Sequence, residues 1–366
     1  MTKVLAFFLP QFHQIPENDK WWGEGFTEWT NVKKSVPLFQ NHQQPRIPEK
    51  ENYYNLLDKD IQEWQSEIAL KNGVGGFCYY HYWFNGKKLL EKPAEQMLDN
   101  KKITIPFCFS WANEPWTRAW DGKDKEILMP QEYGEEEDWE QHFEYLLPFF
   151  KDERYIKQGN KPLFLIYRLS SIKNHEGMLK YWNYRAKQEG FEGLHIISML
   201  TSFDNKDANS ENISGFVEFE PMYTIKHYLP LHTQGVRFAK KKILSKFNEK
   251  NSLDILEYKT VWDRILERQN HDLNGKKIYK GAFVGWDNSP RKGTKALIIN
   301  DSNPMDFQKY FGAQLQKALN NNEEFLFINA WNEWAEGTYL EPDKKFGNAY
   351  LQVIKNELIK NGLFFN

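Results

Sequence analysis

Eight short runs of apolar, β-branched and aromatic residues recur along the chain, each followed by a polar loop. Segments between several of the runs, such as residues 55–73 and 181–190, carry apolar side chains at helical spacing. Alternation of nearly continuous apolar strands with helices is typical of a parallel sheet that is covered on both faces. The runs are residues 3–10, 73–83, 103–111, 161–169, 194–200, 215–222, 278–286 and 324–331.

Eight strand–helix repeats predict a closed (β/α)8 barrel of the α/β class, a TIM barrel with extended loops at the C-terminal face of its strands. A chain of 366 residues can fill such a barrel as one domain, so we expect a single catalytic domain over residues 1–366. An open doubly wound sheet is the alternative architecture. In a barrel, residues that directly follow the strands are the candidates for the active site.

Composition limits the possible partners. The chain has 48 Lys and Arg against 50 Asp and Glu, so no overall basic field predicts binding to nucleic acid or to an anionic membrane. Aromatic residues make up 16% of the chain, including 14 Trp, although its mean hydropathy is only -0.73. We therefore expect part of the aromatic surface to be exposed in a cleft.

Cysteine usage and hydropathy bear on location. Cys78 and Cys108 lie in apolar runs and predict two buried free thiols in a reducing compartment. The first apolar run is interrupted at Pro10 and has no small-residue cleavage site, so it does not predict a signal peptide. No segment approaches the roughly 18 consecutive apolar residues of a membrane helix. We expect a cytoplasmic protein without an integral membrane segment.

The residues that follow the predicted strands combine charged groups with aromatic rings. Pyranose rings stack their C–H faces on Trp and Tyr, and their hydroxyls pair with charged and amide groups. This combination predicts a glycan-binding cleft. The candidate substrate-binding residues are Trp29, Tyr80, His81, Trp111, Asn113, Glu114, Arg118, Trp120, Trp286, Asp287, Asn332 and Trp334.

Two carboxyl groups directly after the eighth run are the candidates for catalysis. Hydrolysis of an acetal needs one carboxyl to protonate the departing oxygen and a second to act as nucleophile or base. Glu333 and Glu336 lie three residues apart, a spacing that can bring both to one rim of a turn. Their mutual repulsion and the flanking tryptophans would raise one pKa. Glu341, which precedes Pro342, is interpreted as a loop anchor.

Signatures of other chemistries do not occur in the sequence. G-x-G-x-x-G, G-x-x-x-x-G-K-[ST], H-E-x-x-H and G-x-S-x-G are all missing. The short Asp-x-Asp at residues 58–60 falls within a helical pattern, which disfavours a metal-dependent sugar-nucleotide transferase. We expect no cofactor and no metal.

Three motifs resemble a known family. "FFLPQFHQIPENDKWWGEGFTEWTNV", "FCFSWANEPWTRAWDG" and "NAWNEWAEGTYLEPD" are similar to the WbsX-like proteins of bacterial surface-polysaccharide gene clusters, which are themselves similar to glycoside hydrolase family 99. The resemblance covers essentially the whole chain. It implies a (β/α)8 barrel that cleaves α-mannosidic linkages with retention and without a metal.

The resemblance also implies roles for single residues. The family's Asn-Glu-Trp-x-Glu-Gly-Thr motif corresponds to residues 332–338 here. Glu333 would assist deprotonation of the sugar's own 2-hydroxyl, which attacks the anomeric carbon to give a 1,2-anhydro intermediate. Glu336 would act first as general acid and then as base to water. Glu114 would contact the substrate, and Tyr80 and His81 fall in a similar aromatic cluster.

Attack by the 2-hydroxyl requires it to lie anti to the departing oxygen, as it does in α-mannosides and α-rhamnosides. The sequence therefore predicts a retaining glycoside hydrolase acting on α-linked manno- or rhamno-configured residues of a surface polysaccharide. WbsX-like proteins have often been labelled glycosyltransferases, so a transferase or transglycosylase in polysaccharide biosynthesis is the alternative function. A glycan-binding barrel without catalysis is a further alternative.

Overall fold

The structure is a computed structural model that describes residues 2–118, 123–204, 210–230, 233–237, 239, 253–269 and 272–364. All eight predicted apolar runs form strands, and the seventh run contributes two. The strands are β1 (Lys3–Phe8), β2 (Val74–Phe84), β3 (Phe107–Trp111), β4 (Lys161–Ile166), β5 (His195–Leu200), β6 (Gly215–Glu218), β7 (Lys276–Tyr279), β8 (Gly281–Phe283) and β9 (Phe325–Asn329).

These strands pair in parallel throughout. β1 lies between β9 and β2, and the order continues through β3, β4, β5 and β6 to β7. β8 pairs in parallel with the other side of β9. The strands are buried along nearly their whole length, as expected where helices cover a parallel sheet. The α/β class and the parallel sheet are therefore confirmed.

The seventh apolar run contacts both of its neighbours. Its β7 part pairs with β6, its β8 part pairs with β9, and only Lys280 separates the two parts. The Lys280 carbonyl accepts a hydrogen bond of 3.1 Å from the Phe327 amide. The rings of Phe7 on β1 and Phe219, just beyond β6, lie 5.2 Å apart, although several strands separate β1 from β6 in the order of the sheet.

Helices connect the strands. They are α1 (Pro16–Trp22), α2 (Glu28–Lys34), α3 (Lys59–Lys71), α4 (Lys92–Asp99), α5 (Glu136–Lys151), α6 (His175–Gln188), α7 (Met222–His227), α8 (Tyr258–Glu267), α9 (Ser289–Lys292), α10 (Pro304–Asn320) and α11 (Ala349–Lys360). Among these, α3 and α6 overlap the segments 55–73 and 181–190, for which residue spacing predicts helices. No helix in the described ranges is both long enough and apolar enough to cross a membrane.

Further short strands lie in the loops; they pair antiparallel, except that Asp254–Glu257 pairs in parallel with Leu297–Asn300. They are Lys87–Leu89, Trp116–Arg118, Lys123–Met129, Lys157–Gln158, Asp254–Glu257, Asp272–Leu273, Trp286–Asp287, Leu297–Asn300, Asn332–Glu333 and Thr338–Tyr339. Single-turn 3-10 helices occur at Glu49–Glu51, Leu169–Ser171, Gly293–Lys295 and Trp334–Glu336.

Helix α3 shows how local sequence fixes an element and its packing. The carboxylate of Asp58 accepts a hydrogen bond of 3.0 Å from the Asp60 amide and so caps the first turn. The buried residues Gln62, Gln65 and Ala69 recur at the spacing of one helical face. This face is partly polar because Gln65 reaches into the loop that carries the candidate catalytic residues. The two cysteines are buried free thiols, as predicted.

Replacing Gly281 with alanine is expected to destabilise the protein by about 3 kcal/mol or more, because the new methyl group would overlap backbone atoms of the neighbouring strand. A Cβ at Gly281 would lie 1.8 Å from the carbonyl oxygen of Glu218. Urea unfolding measures the change. Gly235 is the matched control, since a Cβ there meets nothing within 4 Å and alanine favours its helix. Equal stability of the two variants would contradict the close strand contact.

Candidate active site

The turn that follows β9 carries both Glu333 and Glu336. Asn332–Glu333 and Thr338–Tyr339 pair as two short antiparallel strands, and Trp334–Glu336 forms a 3-10 turn between them. This arrangement places both carboxyl groups at the C-terminal end of β9, where the sequence predicts them.

Gly337 closes the turn with a φ of 65°, a conformation that favours glycine. A Cβ at this position would also lie 2.9 Å from the backbone nitrogen of Asp287. The hydroxyl of Thr338 donates a hydrogen bond to the carbonyl of Asn329, and a cis peptide bond joins Asn329 to Ala330. The turn is therefore fixed against the end of its own strand and against the neighbouring loop.

Arg291 on α9 binds three carboxyl groups at once. Its Nη1 lies 2.5 Å from Oε1 of Glu336, and its Nη2 lies 3.2 Å from Oε2 of Glu333. The same Nη2 lies 2.7 Å from Oε1 of Glu28, to which Nε donates a hydrogen bond of 2.9 Å. We call these four residues the Arg291 cluster. It joins the loops that follow β1, β8 and β9.

Burial sets the protonation of the cluster. Glu28 is completely buried, and burial raises the pKa of its carboxyl. Burial, together with the neighbouring charge of Glu336, raises the pKa of Glu333 to about 8, although Arg291 opposes the shift. At pH 7 Glu333 is therefore mostly protonated. The site holds a protonated carboxyl group and two further carboxyl groups around one cation.

Three tyrosines surround the carboxyl groups. Tyr80 and Tyr82 lie two residues apart on β2 and so point to the same face, and Tyr167 follows β4. Burial raises the pKa of each hydroxyl, and the charges of Glu333 and Glu336 raise it further. All three hydroxyls stay protonated at neutral pH and are available as hydrogen-bond donors.

Glu341 fixes the loop to α3. Its carboxyl accepts hydrogen bonds from the Tyr54 hydroxyl at 2.9 Å, from Gln65 at 2.6 Å and from the Trp334 indole at 2.6 Å. Burial raises the pKa of Glu341 to about 7. This geometry agrees with its interpretation as a loop anchor.

Three of the predicted substrate-binding residues, Asn332, Trp334 and Trp29, pack on the buried side of the turn. Both amide atoms of Asn332 pair with the backbone of Leu9, at 2.7 and 3.0 Å. The Trp334 ring stacks on Tyr339 with centroids 3.8 Å apart, and it contacts the Trp29 ring at 5.4 Å. Trp29 and Trp334 are 4% and 1% exposed. Their rings are covered by protein in this structure.

Trp286 and Asp287 are also buried, beside the turn. Asp287 accepts hydrogen bonds from Gln44 at 2.7 Å and pairs with His42 at 2.8 Å. Burial alone would raise its pKa, but the His42 hydrogen bond and the Arg46 charge lower the pKa of Asp287 to about 2. Asp287 is therefore an ionised anchor beneath the candidate catalytic turn.

The loop after β3 forms a second polar group. Glu114 Oε1 lies 2.9 Å from Nη1 of Arg168, and burial raises the pKa of the Glu114 carboxyl. Asn113 binds the backbone of Arg168 at both its amide atoms, with distances of 2.8 and 2.9 Å. The charge of Glu114 also acts on Tyr167. Glu114 thus lies on the Tyr167 side of the Arg291 cluster.

Trp111 and His81 face away from the carboxyl groups. His81 lies on the opposite face of β2 from its neighbours Tyr80 and Tyr82, where its Nε2 is 2.8 Å from Nε2 of His142 on α5. Burial lowers the pKa of His81 to about 3, so it is neutral at pH 7. The buried Trp111 contacts the same His142 ring at 4.8 Å.

Arg118 lies on the hairpin that follows β3. Its Nε is 2.7 Å from Oε1 of Glu126, and its guanidinium carbon lies 5.7 Å from the centre of the Trp22 ring. Trp120, which was also predicted to bind substrate, lies outside the described residues.

Glu28 and Arg291 are not among the predicted catalytic or substrate-binding residues, although both belong to the strand-end segments that the sequence offers as candidates for the active site. Both follow predicted strands, Glu28 within the aromatic segment "WWGEGFTEW" and Arg291 shortly after the seventh run. Their positions were the only available signal. In the described ranges, no group of three or more His, Cys, Asp or Glu residues is arranged to hold a metal ion.

Two solved structures have a similar fold. The chain is similar to the GH99 endo-alpha-mannosidase from Bacteroides thetaiotaomicron, with a TM-score of 0.56 and 15% identity over 98% of this chain and 96% of that one. It is also similar to a structure described as a glycoside hydrolase-like protein, with a TM-score of 0.55 and 12% identity over 97% and 93%. At this level of identity, the likeness defines the fold.

The chain belongs to the family described as Glycosyltransferase WbsX, whose model matches residues 4–354. It is 34% identical over 360 residues to the uncharacterized protein WxcX of Xanthomonas campestris pv. campestris, in two strains. The match covers 98% of this chain and 50% of WxcX. The chain therefore spans about half the length of the curated relatives it matches.

Replacing Arg291 with methionine is expected to destabilise the protein by about 3–5 kcal/mol at pH 8, because three carboxyl groups lose their buried partner. The loss should be smaller at pH 5, where the carboxyls can bind protons instead. Urea unfolding at both pH values measures the difference.

The control for this substitution is Arg264→Met, whose ion pair with Glu267 lies at the surface and should contribute less than about 1 kcal/mol. Adding Glu28→Gln to the Arg291→Met protein should restore part of the lost stability. Equal losses at pH 5 and pH 8 would contradict the proposed charge pairing.

Glu333→Gln is expected to raise Tm by an amount that grows with pH. The Glu333 pKa is about 8 in the folded protein against 4.5 for a free side chain. Between these values the unfolded chain loses a proton that the folded protein keeps, so the carboxyl increasingly destabilises the fold as pH rises. Glutamine removes this dependence.

Calorimetry from pH 5 to pH 8 should therefore find a difference in Tm between the Glu333→Gln variant and the parent that increases by roughly 2–5 °C and then levels off. The exposed Glu153→Gln substitution is the control and should show no such trend. A difference that stays constant across this range would rule out a raised pKa at Glu333.

Proposed function

We propose that this protein is a retaining glycoside hydrolase that cleaves α-linked manno- or rhamno-configured residues of a bacterial surface polysaccharide or its lipid-linked precursor. One observation carries the proposal. Two carboxyl groups on one turn share an arginine partner, and burial keeps one of them protonated at neutral pH. A glycosidase needs such a pair of carboxyls with separated pKa values.

We infer that the sheet closes into a single-domain (β/α)8 barrel. In support, the segment of β7 and β8 pairs with β6 on one side and with β9 on the other. The contact between Phe7 and Phe219 also spans strands that are far apart in the order of the sheet. Closure would bring the loops after β1, β2, β4, β8 and β9 around one opening, as in other barrel enzymes.

The proposed reaction begins at the substrate's own 2-hydroxyl group. Glu333 accepts its hydrogen bond and assists its deprotonation, and the oxygen attacks the anomeric carbon as the glycosidic bond breaks. Glu336 donates a proton to the departing oxygen. Water, deprotonated by Glu336, then attacks the anomeric carbon and opens the 1,2-anhydro ring, while Glu333 returns the proton to the 2-oxygen. The anomeric configuration is retained overall.

Exposure favours Glu336 for the contact with the leaving group and with water. The Glu336 side chain is 23% exposed, whereas that of Glu333 is 7% exposed. In the free protein the raised pKa keeps the proton on Glu333. The proposal therefore requires the proton to pass to Glu336 when substrate replaces part of the Arg291 contact.

The charge of the cluster favours a neutral glycan over a sugar nucleotide. Three carboxyl groups surround the single cation Arg291. The cluster therefore offers no unpaired cation to bind the diphosphate of a nucleotide donor. The family description supports a transferase as the alternative, and a transglycosylase could use the same anhydro intermediate with a sugar hydroxyl in place of water.

The predicted substrate-binding residues divide by position in this proposal. The half-buried Glu114, and Tyr80 on the face of β2 that it shares with Tyr82, would contact the sugar directly. Other buried residues would position the site from behind, through the hydrogen bonds and ring contacts described above. They are Trp29, His81, Trp111, Asn113, Trp286, Asp287, Asn332 and Trp334.

The proposal predicts that the protein hydrolyses synthetic α-mannosides or α-rhamnosides with retention. NMR that identifies the first-formed anomer of the product measures this outcome. Glu336→Gln should reduce kcat by about two to four orders of magnitude on ordinary glycosides while binding persists. With an α-glycosyl fluoride, whose leaving group needs less protonation, this variant should recover much of its rate. Glu333→Gln should remain slow on both substrates.

The exposed Glu153→Gln variant serves as the control and should match the parent on both substrates. Recovery by Glu333→Gln instead of Glu336→Gln would exchange the two roles. Cleavage confined to gluco-configured or β-linked sugars would overturn the mechanism, because their geometry does not allow attack by the 2-hydroxyl. Transfer to an added sugar in preference to water would favour the transglycosylase alternative.

A further inference from the structure

The tryptophans near the opening fall into two groups. Trp29, Trp111, Trp286 and Trp334 are buried, as described above. Trp21 on α1 and Trp116 on the hairpin after β3 are instead only half-buried. Large aromatic rings that stay partly accessible beside a cleft are suited to binding a ligand, because their apolar faces are not used by the core.

These two indoles meet although they come from different loops. Their ring centroids are 5.7 Å apart, at an interplanar angle of 68°. Trp116 also contacts Tyr82 at 5.2 Å and Phe84 at 6.1 Å, both near the end of β2. An ion pair of 2.7 Å between Glu17 and Lys87 joins α1 to the short strand Lys87–Leu89, which follows β2. We call Trp21 and Trp116 the aromatic wall.

The wall begins next to the Arg291 cluster. Tyr82, which touches Trp116, lies close enough to the cluster that its pKa responds to Glu333, Arg291, Glu28 and Glu336. Tyr82 and Tyr80 share one face of β2, so this tyrosine pair leads from the carboxyl groups toward the wall. A sugar chain with one residue at Glu333 and Glu336 can therefore extend along Tyr82 to Trp116 and Trp21.

The chemistry of the wall fits a carbohydrate. The accessible indole surface is apolar and flat, and the ion pair between Arg118 and Glu126 lies on the same hairpin. Arg118 also contacts the ring of Trp22, the neighbour of Trp21. Flat rings next to charged hydrogen-bonding groups match the C–H faces and the hydroxyl rim of a pyranose.

We propose that Trp21 and Trp116 form a glycan-binding subsite for sugar residues beyond the one cleaved at Glu333 and Glu336. The inference rests on the proposed function, since it assumes that a sugar occupies the carboxyl pair. It adds that the protein recognises an extended chain. Affinity should then depend on the length of the oligosaccharide, and this dependence should reside in the two tryptophans.

Calorimetric titration of the Glu336→Gln variant tests the subsite without turnover. The probes are di- and tetrasaccharides of α-linked mannose and of α-linked rhamnose. The tetrasaccharide should bind more tightly than the disaccharide. Adding Trp116→Ala or Trp21→Ala should weaken tetrasaccharide binding by roughly 30-fold, the scale for loss of an aromatic anchor, and disaccharide binding by less than about 3-fold.

Three further variants test the subsite. Trp116→Phe keeps an aromatic face and should retain most of the tetrasaccharide affinity, even if Trp116→Ala folds poorly. Tyr184→Ala is the control for loss of an exposed ring, because Tyr184 lies on α6 and is 57% exposed. It should leave both affinities unchanged. Tryptophan emission should respond to the tetrasaccharide in the parent and less in a Trp21→Phe/Trp116→Phe protein.

The outcomes separate the two proposals. If the Glu336→Gln protein binds the tetrasaccharide and both alanine variants keep the same affinity, the wall is not a subsite and the proposed function stands. If no mannose or rhamnose probe binds at any length, the proposed function and the subsite are both overturned. If the alanine variants lose the same factor of affinity for the disaccharide and the tetrasaccharide, the tryptophans maintain the structure of the site and do not recognise the extended chain.

Discussion

The structure of the candidate site depends on three carboxyl groups around one guanidinium, of which Glu28 and Glu333 are buried and Glu336 is half-buried. Removing such charges from water costs several kcal/mol for each ion, and only close, well-directed contacts offset that cost. Arg291 supplies them with its Nη1, Nη2 and Nε atoms, which bind Glu336, Glu333 and Glu28. The number of carboxyls exceeds the number of cations, so one proton stays in the site. The proposed chemistry uses this proton.

The fold creates this excess of carboxyls by convergence of separate loops. Glu28 follows β1, Arg291 follows β8, and the carboxyl pair follows β9, so no single segment could form the cluster. Buried anchors hold these loops at fixed positions. Asn332 ties the turn to the loop after β1, and Glu341 ties it to α3. The tryptophans that face the interior belong to this scaffold, whereas Trp21 and Trp116 remain accessible.

The sequence predicts the strands well because each is buried on both faces and therefore appears as a continuous apolar run. It also predicts that Glu333 and Glu336 share one turn after the last strand, because the two residues are close in the chain. The contact between Arg291 and Glu28 spans 263 positions. The spacing of residues along the chain does not indicate such a contact. The cluster is therefore evident only from the three-dimensional arrangement of the loops.

The sequence also does not predict which individual side chains near the site are buried. His81 and Tyr80 were grouped because they are neighbours in an aromatic segment, yet the two-residue period of a strand sends them to opposite faces. The tryptophans were grouped by proximity to strand ends, which does not distinguish a ring that anchors a loop from one that faces a cleft. That difference depends on tertiary packing, as with Trp334 against Tyr339.

The proposed chemistry requires the carboxyl pair to retain a proton at neutral pH. A carbon-13 NMR titration of the glutamate carboxyl groups measures this directly. The Glu333 signal can be assigned by its loss in the Glu333→Gln protein. The account predicts that this signal titrates with a midpoint of about 8. A midpoint near 4.5, the ordinary value for a free glutamate, would show that the site holds no proton at neutral pH and would contradict the account.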